Sequence, residues 1–255
     1  MFKTTRLAFA AIATLAATPV VAQDNVLSFS VTGGARVAPD YFGASGHGVS
    51  PAFGVGFQGL RFGDMQLGDP DGPRVLTPGA GLRGSFRFIG ERDGVKELAG
   101  LNTVDAALEL GLGVHYTSDI WQVFADLRYG VIGHKGITGE LGANLIYRAP
   151  SGLVLNAGPR AEFGSSRFTN TYFGVTAAES GPPSGFAQHT ASGGIYSVGV
   201  ELGAYQPLGD DWGVTGMVRY DRLRGDAARS PITLQGSRDQ VSAEIGLTRH
   251  FNLRF

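Results

Sequence analysis

Five histidines, His47, His115, His134, His189 and His250, are the residues of this 255-residue sequence best suited to holding a metal or relaying a proton. No two of them stand two or four positions apart, the spacings that put two ligands on one face of a strand or a helix. There is no cysteine, which removes thiolate metal sites, disulfides and cysteine nucleophiles. Serines and carboxylates occur throughout, but nothing in the spacing sets a serine beside a histidine with a carboxylate to orient it. Glycine clusters such as Gly111-Leu112-Gly113 lie inside strand-like segments, with no helix following to offer its N-terminus to a phosphate. The expectation is a non-enzymatic protein with no metal and no cofactor. With 21 basic and 22 acidic residues there is also no positive stripe for a nucleic acid.

The charged residues nonetheless follow a pattern. Arg83, Arg87, Asp105, Glu109, Asp126, Arg128, Glu140, Arg160, Glu162, Glu201, Arg219 and Glu244 all fall on one side of segments that alternate with period two. The other side is apolar, and across the last seven segments its only charge is Arg249. The segment 103–116 is the cleanest, with Val104, Ala106, Leu108, Leu110, Leu112, Val114 and Tyr116 on one face and Asp105, Glu109 and His115 on the other. A helix, whose neighbours recur at three and four, would mix these sets. Similar alternation runs through 120–131, 136–148, 153–163, 195–205, 212–221 and 240–251, and more weakly through 27–37, 51–62 and 78–89. The reading is an all-β, antiparallel up-and-down barrel of about ten strands, or twelve if the connection 63–77 hides two short ones. An even number places both chain ends in the periplasm.

The elements imply a membrane. Lys3 and Arg6 precede an apolar run from Leu7 to Val21, and Val20 and Ala22 give small residues at −3 and −1 of a cleavage before Gln23. Residues 1–22 thus read as a cleaved signal peptide and 23–255 as the barrel. A soluble sandwich also alternates, but it would not sort its charges so completely; a charge facing lipid at mid-depth costs roughly 2–4 kcal/mol. Aromatic residues of the apolar face gather at the strand ends. Tyr116, Trp121, Tyr147, Trp212 and Phe251 fall at the periplasmic ends, and Phe86, Phe88, Tyr129, Phe163, Tyr196 and Tyr220 at the outer ends. Connections 164–192 and 222–238 are long, as outer loops often are. Mixed charge in so narrow a barrel predicts pairing across the lumen; a selective pore would favour one sign.

Four stretches carry a resemblance: Pro39-Asp40-Tyr41-Phe42-Gly43-Ala44-Ser45, Gly133-His134-Lys135-Gly136, Tyr172-Phe173-Gly174-Val175, and Arg222-Leu223-Arg224-Gly225-Asp226-Ala227-Ala228-Arg229-Ser230-Pro231-Ile232. In this order, with the C-terminal strand, they resemble the MipA/OmpV family of outer-membrane proteins. Within them Tyr41, Gly43, Ser45, His134, Lys135, Gly136, Tyr172, Phe173, Gly174, Arg222, Leu223, Gly225, Asp226, Ser230 and Pro231 match the family pattern without an assigned role. The resemblance implies a Gram-negative outer-membrane scaffold linked to murein synthesis, with a lytic transglycosylase and a murein synthase as periplasmic partners. A small-solute channel and a surface-exposed adhesion or immunogenic protein stay open beside it. All four stretches map to the outer end, which leaves the connection 63–77 as the periplasmic candidate for a partner contact.

Overall fold

The computed structural model describes residues 25–71 and 75–255. The signal-peptide reading of 1–22 lies outside the described residues. Strands are β1 (Val26–Pro39), β2 (His47–Phe62), β3 (Met65–Gly68), β4 (Gly79–Ile89), β5 (Ala107–Thr117), β6 (Trp121–Ile132), β7 (Ile137–Arg148), β8 (Val154–Gly164), β9 (Gly194–Pro207), β10 (Trp212–Leu223) and β11 (Asp239–Arg254). Helices α1 (Ser166–Phe173), α2 (Gly225–Arg229) and α3 (Pro231–Gln235) lie in two loops of the outer end, between β8 and β9 and between β10 and β11. The sheet order is β3-β2-β1-β11-β10-β9-β8-β7-β6-β5-β4, with every ladder antiparallel.

Ten of these strands have 11 to 16 residues, enough to cross a hydrocarbon core at a tilt. The eleventh, β3, has four and pairs only with the foot of β2. It is the one strand that the connection 63–77 contains among the described residues. The first and last strands pair from Val26↔Arg254 to Val37↔Ala243, which curls the sheet round on itself. Among the described residues no ladder joins β4 to β2 or β3, so the barrel is nearly closed, with a seam there. Unpaired backbone groups in hydrocarbon are costly, which makes this seam the weakest part of the wall.

The burial pattern is inverted relative to a soluble protein. Leu112, Leu145 and Ile245 are 67%, 73% and 63% exposed, whereas Glu109 and Arg128 are 0% and 5% exposed. The greasy faces point outward and the charged faces inward, as alternation predicts for a barrel in lipid. Arg249, the exception, lays its guanidinium 5.2 Å from the Trp212 ring and 5.1 Å from Phe251, at the strand foot where both rings belong to the interface. Leu112→Arg, at the middle of β5, is therefore expected to destabilise the barrel by roughly 2–4 kcal/mol, and Tyr116→Arg near the interface by about 0–1 kcal/mol. Urea unfolding of the mature protein in liposomes measures both. Equal costs would mean that this face does not see lipid.

Turn chemistry separates the two ends. Ser118 closes the β5–β6 turn by accepting from the amides of Ile120 (3.3 Å) and Trp121 (3.0 Å). The β7–β8 turn uses Gly152 at a φ of 85°, where a side chain is disfavoured. These turns share their end with residues 25 and 255, joined by the Phe255 amide to the Asn25 carbonyl at 3.1 Å. The returning connection narrows that mouth. Val75 and Leu76 pack against Ile146, Val154 and Tyr205, and Arg148 donates to both their carbonyls.

Two sequence expectations fail at the outer end. The strand predicted over 103–116 begins only at Ala107; Val104 instead forms a bridge with Arg92 in the loop, and Asp105 is exposed outside the barrel. Tyr196, expected on the outer aromatic ring, is 2% exposed and points inward. A bulge explains it. Glu162 pairs with Ser197 but Phe163 pairs with Ile195, so Tyr196 is the extra residue, and it shares the inner side with Ser197.

Candidate functional site: a capped, ion-paired lumen

Glu109 on β5 is the centre of the inner charges. Arg87 on β4 grips it with two parallel bonds, Nε to Oε2 at 2.9 Å and Nη2 to Oε1 at 2.8 Å. Arg128 Nε on β6 donates to Oε2 at 3.1 Å, and the Thr138 hydroxyl on β7 at 2.9 Å. His134 Nε2 lies 3.0 Å from Oε1. The Gly136 amide donates to His134 Nδ1 at 2.9 Å, which leaves Nε2 as the nitrogen that donates to Glu109. A second bulge, after Leu108, lies beside Glu109. These two bulges fall where side chains are aimed into this layer, whereas a third, beside Ser28 on β1, lies at the other end of the barrel.

The network then crosses the lumen. Arg87 Nη1 reaches the Tyr196 hydroxyl at 2.9 Å and Glu162 at 3.4 Å on the opposite wall, and Tyr196 donates to Glu162. Arg219 on β10 donates to Glu162 at 2.9 Å, Glu140 at 3.3 Å and Asp221 at 2.6 Å. Below, Arg160 donates to Glu201 and to Asn144 Oδ1, each at 2.8 Å. Arg83 pairs with Asp126 at 3.1 Å, and Ser85 links Asp126 to Arg128. The guanidiniums of Arg83 and Arg160 lie 4.5 and 5.1 Å from the Phe124 ring. Burying this many charges is tolerable only because each has an opposite partner and hydrogen bonds. Of the twelve inner residues expected from the sequence, ten join this network. Asp105 lies outside the barrel, and Glu244 stands across from Arg36 without a hydrogen bond to the network. Tyr196, expected on the lipid side, enters this layer through the bulge, and Thr138, Asn144 and Phe124 take their roles in it from distant partners.

Above this layer the outer loops close over the lumen. Phe42 sits among Phe168, Tyr172, Phe173 and Tyr196, with ring centroids 5.0 to 6.2 Å away. Val104, Leu223 and Ala227 complete the apolar cluster. A second cluster, Tyr41, Ala44, Leu98, Val175 and Ile232, extends it sideways.

The four family stretches meet in this cap. Gly43, at a φ of 93°, accepts from the Ser237 amide (2.7 Å) and donates to Gln240 (3.0 Å); a Cβ there would stand 2.8 Å from Thr233 Oγ1. Tyr41 is buried and Ser45 exposed. The His134 ring packs edge-on against Phe168 and Tyr172, and Lys135, at a φ of 53°, turns its amine to the Val131 carbonyl. Gly174 ends the helix that buries Tyr172 and Phe173. Leu223 is buried beneath Gly225, the first residue of α2, while Arg222 pairs with Asp239 at the rim (3.3 Å). Asp226 accepts from the Ser192 amide at 2.8 Å. Ser230 donates to the Phe173 carbonyl at 2.6 Å and accepts from Ile232, with Pro231 starting α3.

The cap has a titratable latch. Burial pushes the Glu179 carboxyl up, but the Thr176 hydroxyl and the amides of Asn102 and Thr176 donate to it and hold it below its ordinary value. A depressed carboxyl stabilises the fold above its unfolded pKa and loses that contribution as pH falls through the folded value. Limited proteolysis of the loop around residues 176–186 should therefore accelerate below the ordinary value of 4.5, and Glu179→Gln should bring the same sensitivity to neutral pH. An unchanged cleavage rate in both tests would remove the latch.

Among the described residues no three histidine or acidic side chains are grouped as a metal site requires. Comparison with known proteins gives the lineage. Outer membrane protein OmpV of Vibrio cholerae serotype O1 is 28% identical over 159 residues, 61% of this chain and 59% of that protein's own length. Among solved structures, the outer membrane protein OprG from Pseudomonas aeruginosa is 15% identical, covering 89% of this chain and 97% of its own, with a TM-score of 0.27. A bacterial polysaccharide outer membrane secretin is 9% identical, covering 90% and 99%, with a TM-score of 0.37. The protein is an outer-membrane barrel. The model of the MltA-interacting protein MipA family matches residues 31–251, nearly all of the barrel with its cap, and the chain belongs to that family.

Proposed function

We propose that this protein is a non-conducting, non-enzymatic interaction protein of the outer membrane, a scaffold whose periplasmic end engages murein-remodelling enzymes. The observation that carries the reading is the bridge from Arg87 on one wall to Glu162 and Tyr196 on the other, roofed by the aromatic cap. Buried ion pairs that cross the lumen narrow it, which supports a scaffold over a transporter. The family's description names MltA as the interactor, which supports a lytic transglycosylase as one partner and, through it, a murein synthase as another. At the periplasmic mouth, β3 and the foot of β2 expose Met65 and Phe62 beside the Arg61–Asp71 pair, a mixed surface suited to a protein contact.

A photo-crosslinking residue at Met65 should capture a transglycosylase in intact cells, and the same residue at Lys135 on the outer end should not. Recovery of no periplasmic protein from the Met65 position would count decisively against the scaffold. The channel reading draws on the inner wall of β1 and β2, where Ser30, Thr32, Gly54 and Gly56 are small and partly accessible. Planar-bilayer recording separates the two: the scaffold stays silent, and steady unit conductance favours the channel.

A further inference from the structure

On the outer end, between the loop 90–106, the turn at 133–136 and α1, a cleft of about 480 Å³ opens away from the barrel. This lies within the range of roughly 300–1,000 Å³ usual for small-ligand sites. Its lining includes the cations Arg92, Lys135 and Arg167 and the Asn102 side chain; Asn170 and Thr171 also line it, with their own donors given to the carbonyls of Ser166, Ala191 and Arg167. Of the two acids there, Glu179 is already engaged by Thr176 and Asn102, and Asp105 stands exposed.

Arg92 is the unusual member. It is 8% exposed, yet its side chain makes one hydrogen bond, Nη1 to the Tyr172 carbonyl at 3.2 Å. Among the described residues no carboxylate lies within ion-pairing distance of it. The deeply buried arginines of the lumen, Arg87, Arg128, Arg160 and Arg219, each hold at least one carboxylate. Burial pushes the Arg92 pKa below its ordinary value, against the opposite pull of the nearby Glu179 carboxylate. Arg167, exposed on α1, is likewise without a side-chain partner among the described residues. A buried cation with an acid nearby but no direct ion pair, in a cleft that also holds an amide side chain and a second cation, has the chemistry of a site for a polyhydroxylated anion.

We propose that this cleft binds an acidic saccharide, its carboxylate or phosphate held by Arg92 and Arg167 and its hydroxyls by the Asn102 side chain and the Thr171 oxygen, which can still accept. The ligand has two candidate sources with the same chemistry: the phosphorylated sugar headgroups of the outer leaflet's own glycolipid, and a soluble acidic sugar from outside the cell. The site is independent of any periplasmic partner, so its test does not bear on the scaffold.

The mature protein in nanodiscs is titrated calorimetrically with galacturonic acid, glucose 6-phosphate, glucose and inorganic phosphate. The acidic sugars are expected to bind at least about tenfold tighter than glucose, as loss of a charge-assisted hydrogen bond implies. Arg92→Gln should weaken them by a similar factor. Because Arg92 is buried, Arg167→Gln on the exposed face of α1 serves as the second variant, with a loss of several-fold and an unchanged unfolding midpoint. Competition by rough lipopolysaccharide in the nanodisc identifies the headgroup as the source; undiminished sugar binding in its presence identifies the soluble one. The proposal is overturned if neither acidic sugar binds, if glucose binds equally well, if inorganic phosphate alone binds as tightly, or if Arg167→Gln and a folded Arg92→Gln both bind as the parent does.

Discussion

Glu109→Gln is expected to destabilise the barrel by about 3–5 kcal/mol, the cost of removing one partner from a buried ion pair. The substitution keeps the shape but removes the charge that Arg87 and Arg128 share. Arg87 retains Glu162, and Arg128 retains Asp126 at 3.8 Å, so neither guanidinium is wholly orphaned. The loss is nonetheless large, because Glu109 is fully buried and accepts from four side chains at once. Asp221→Asn provides the contrast. Its partner Arg219 keeps Glu140 and Glu162, so a smaller loss is expected. Urea unfolding in liposomes, with the heat-induced gel shift as a second measure, reports both. The outcome discriminates between lumens. In a water-filled barrel the same pair would be screened and worth about 0–1 kcal/mol, as surface pairs are. A Glu109→Gln barrel within that margin of the parent would mean that water fills the layer, and the non-conducting reading would fall with it.

How far the sequence reaches is visible in particular residues. Arg249 was readable as an interfacial charge from its place on a strand foot, and it lies against Trp212 and Phe251 there. The sides of Leu112, Leu145, Glu140 and Arg160 were equally readable, because a strand in lipid has no alternative to alternation. The period does not say where a strand ends: Val104 and Asp105 continue the alternation of β5 after its ladder has stopped, since a loop residue that docks on a cap also needs an apolar side chain. Nor does it register a bulge. Tyr196 differs from a lipid-facing tyrosine only through one extra residue in the pairing with β8, and its neighbours Gly193 and Gly194 are compatible with either course. The family stretches supplied the parts of the cap without their assembly. Gly43 meets Gln240 across 197 positions and Ser230 meets Phe173 across 57, and no local pattern encodes contacts at that separation.

Phe168→Ala should also cost about 3–5 kcal/mol, by the cavity it leaves among Phe42, Tyr172, Tyr196 and His134. The ring is fully buried, and Gly136 and Gly164 make room for it: a Cβ on Gly164 would stand 2.5 Å from the Phe168 ring. Its underside faces the ion layer, with the Arg87 guanidinium 5.4 Å from the ring centre. Removing the ring therefore does more than loosen the cap, because it admits water to the Arg87–Glu109 pair and lowers what that pair is worth. The two substitutions should then be non-additive. Glu109→Gln in the Phe168→Ala background is expected to cost less than in the parent, with a coupling of roughly 0.5–3 kcal/mol. His134, which touches Phe168 on one side and Glu109 on the other, is the direct link between them. Additivity within about 0.5 kcal/mol would show that cap and ion layer act separately. In that case the family stretches would close the barrel without governing its interior, and the dryness of the lumen would rest on the strands alone.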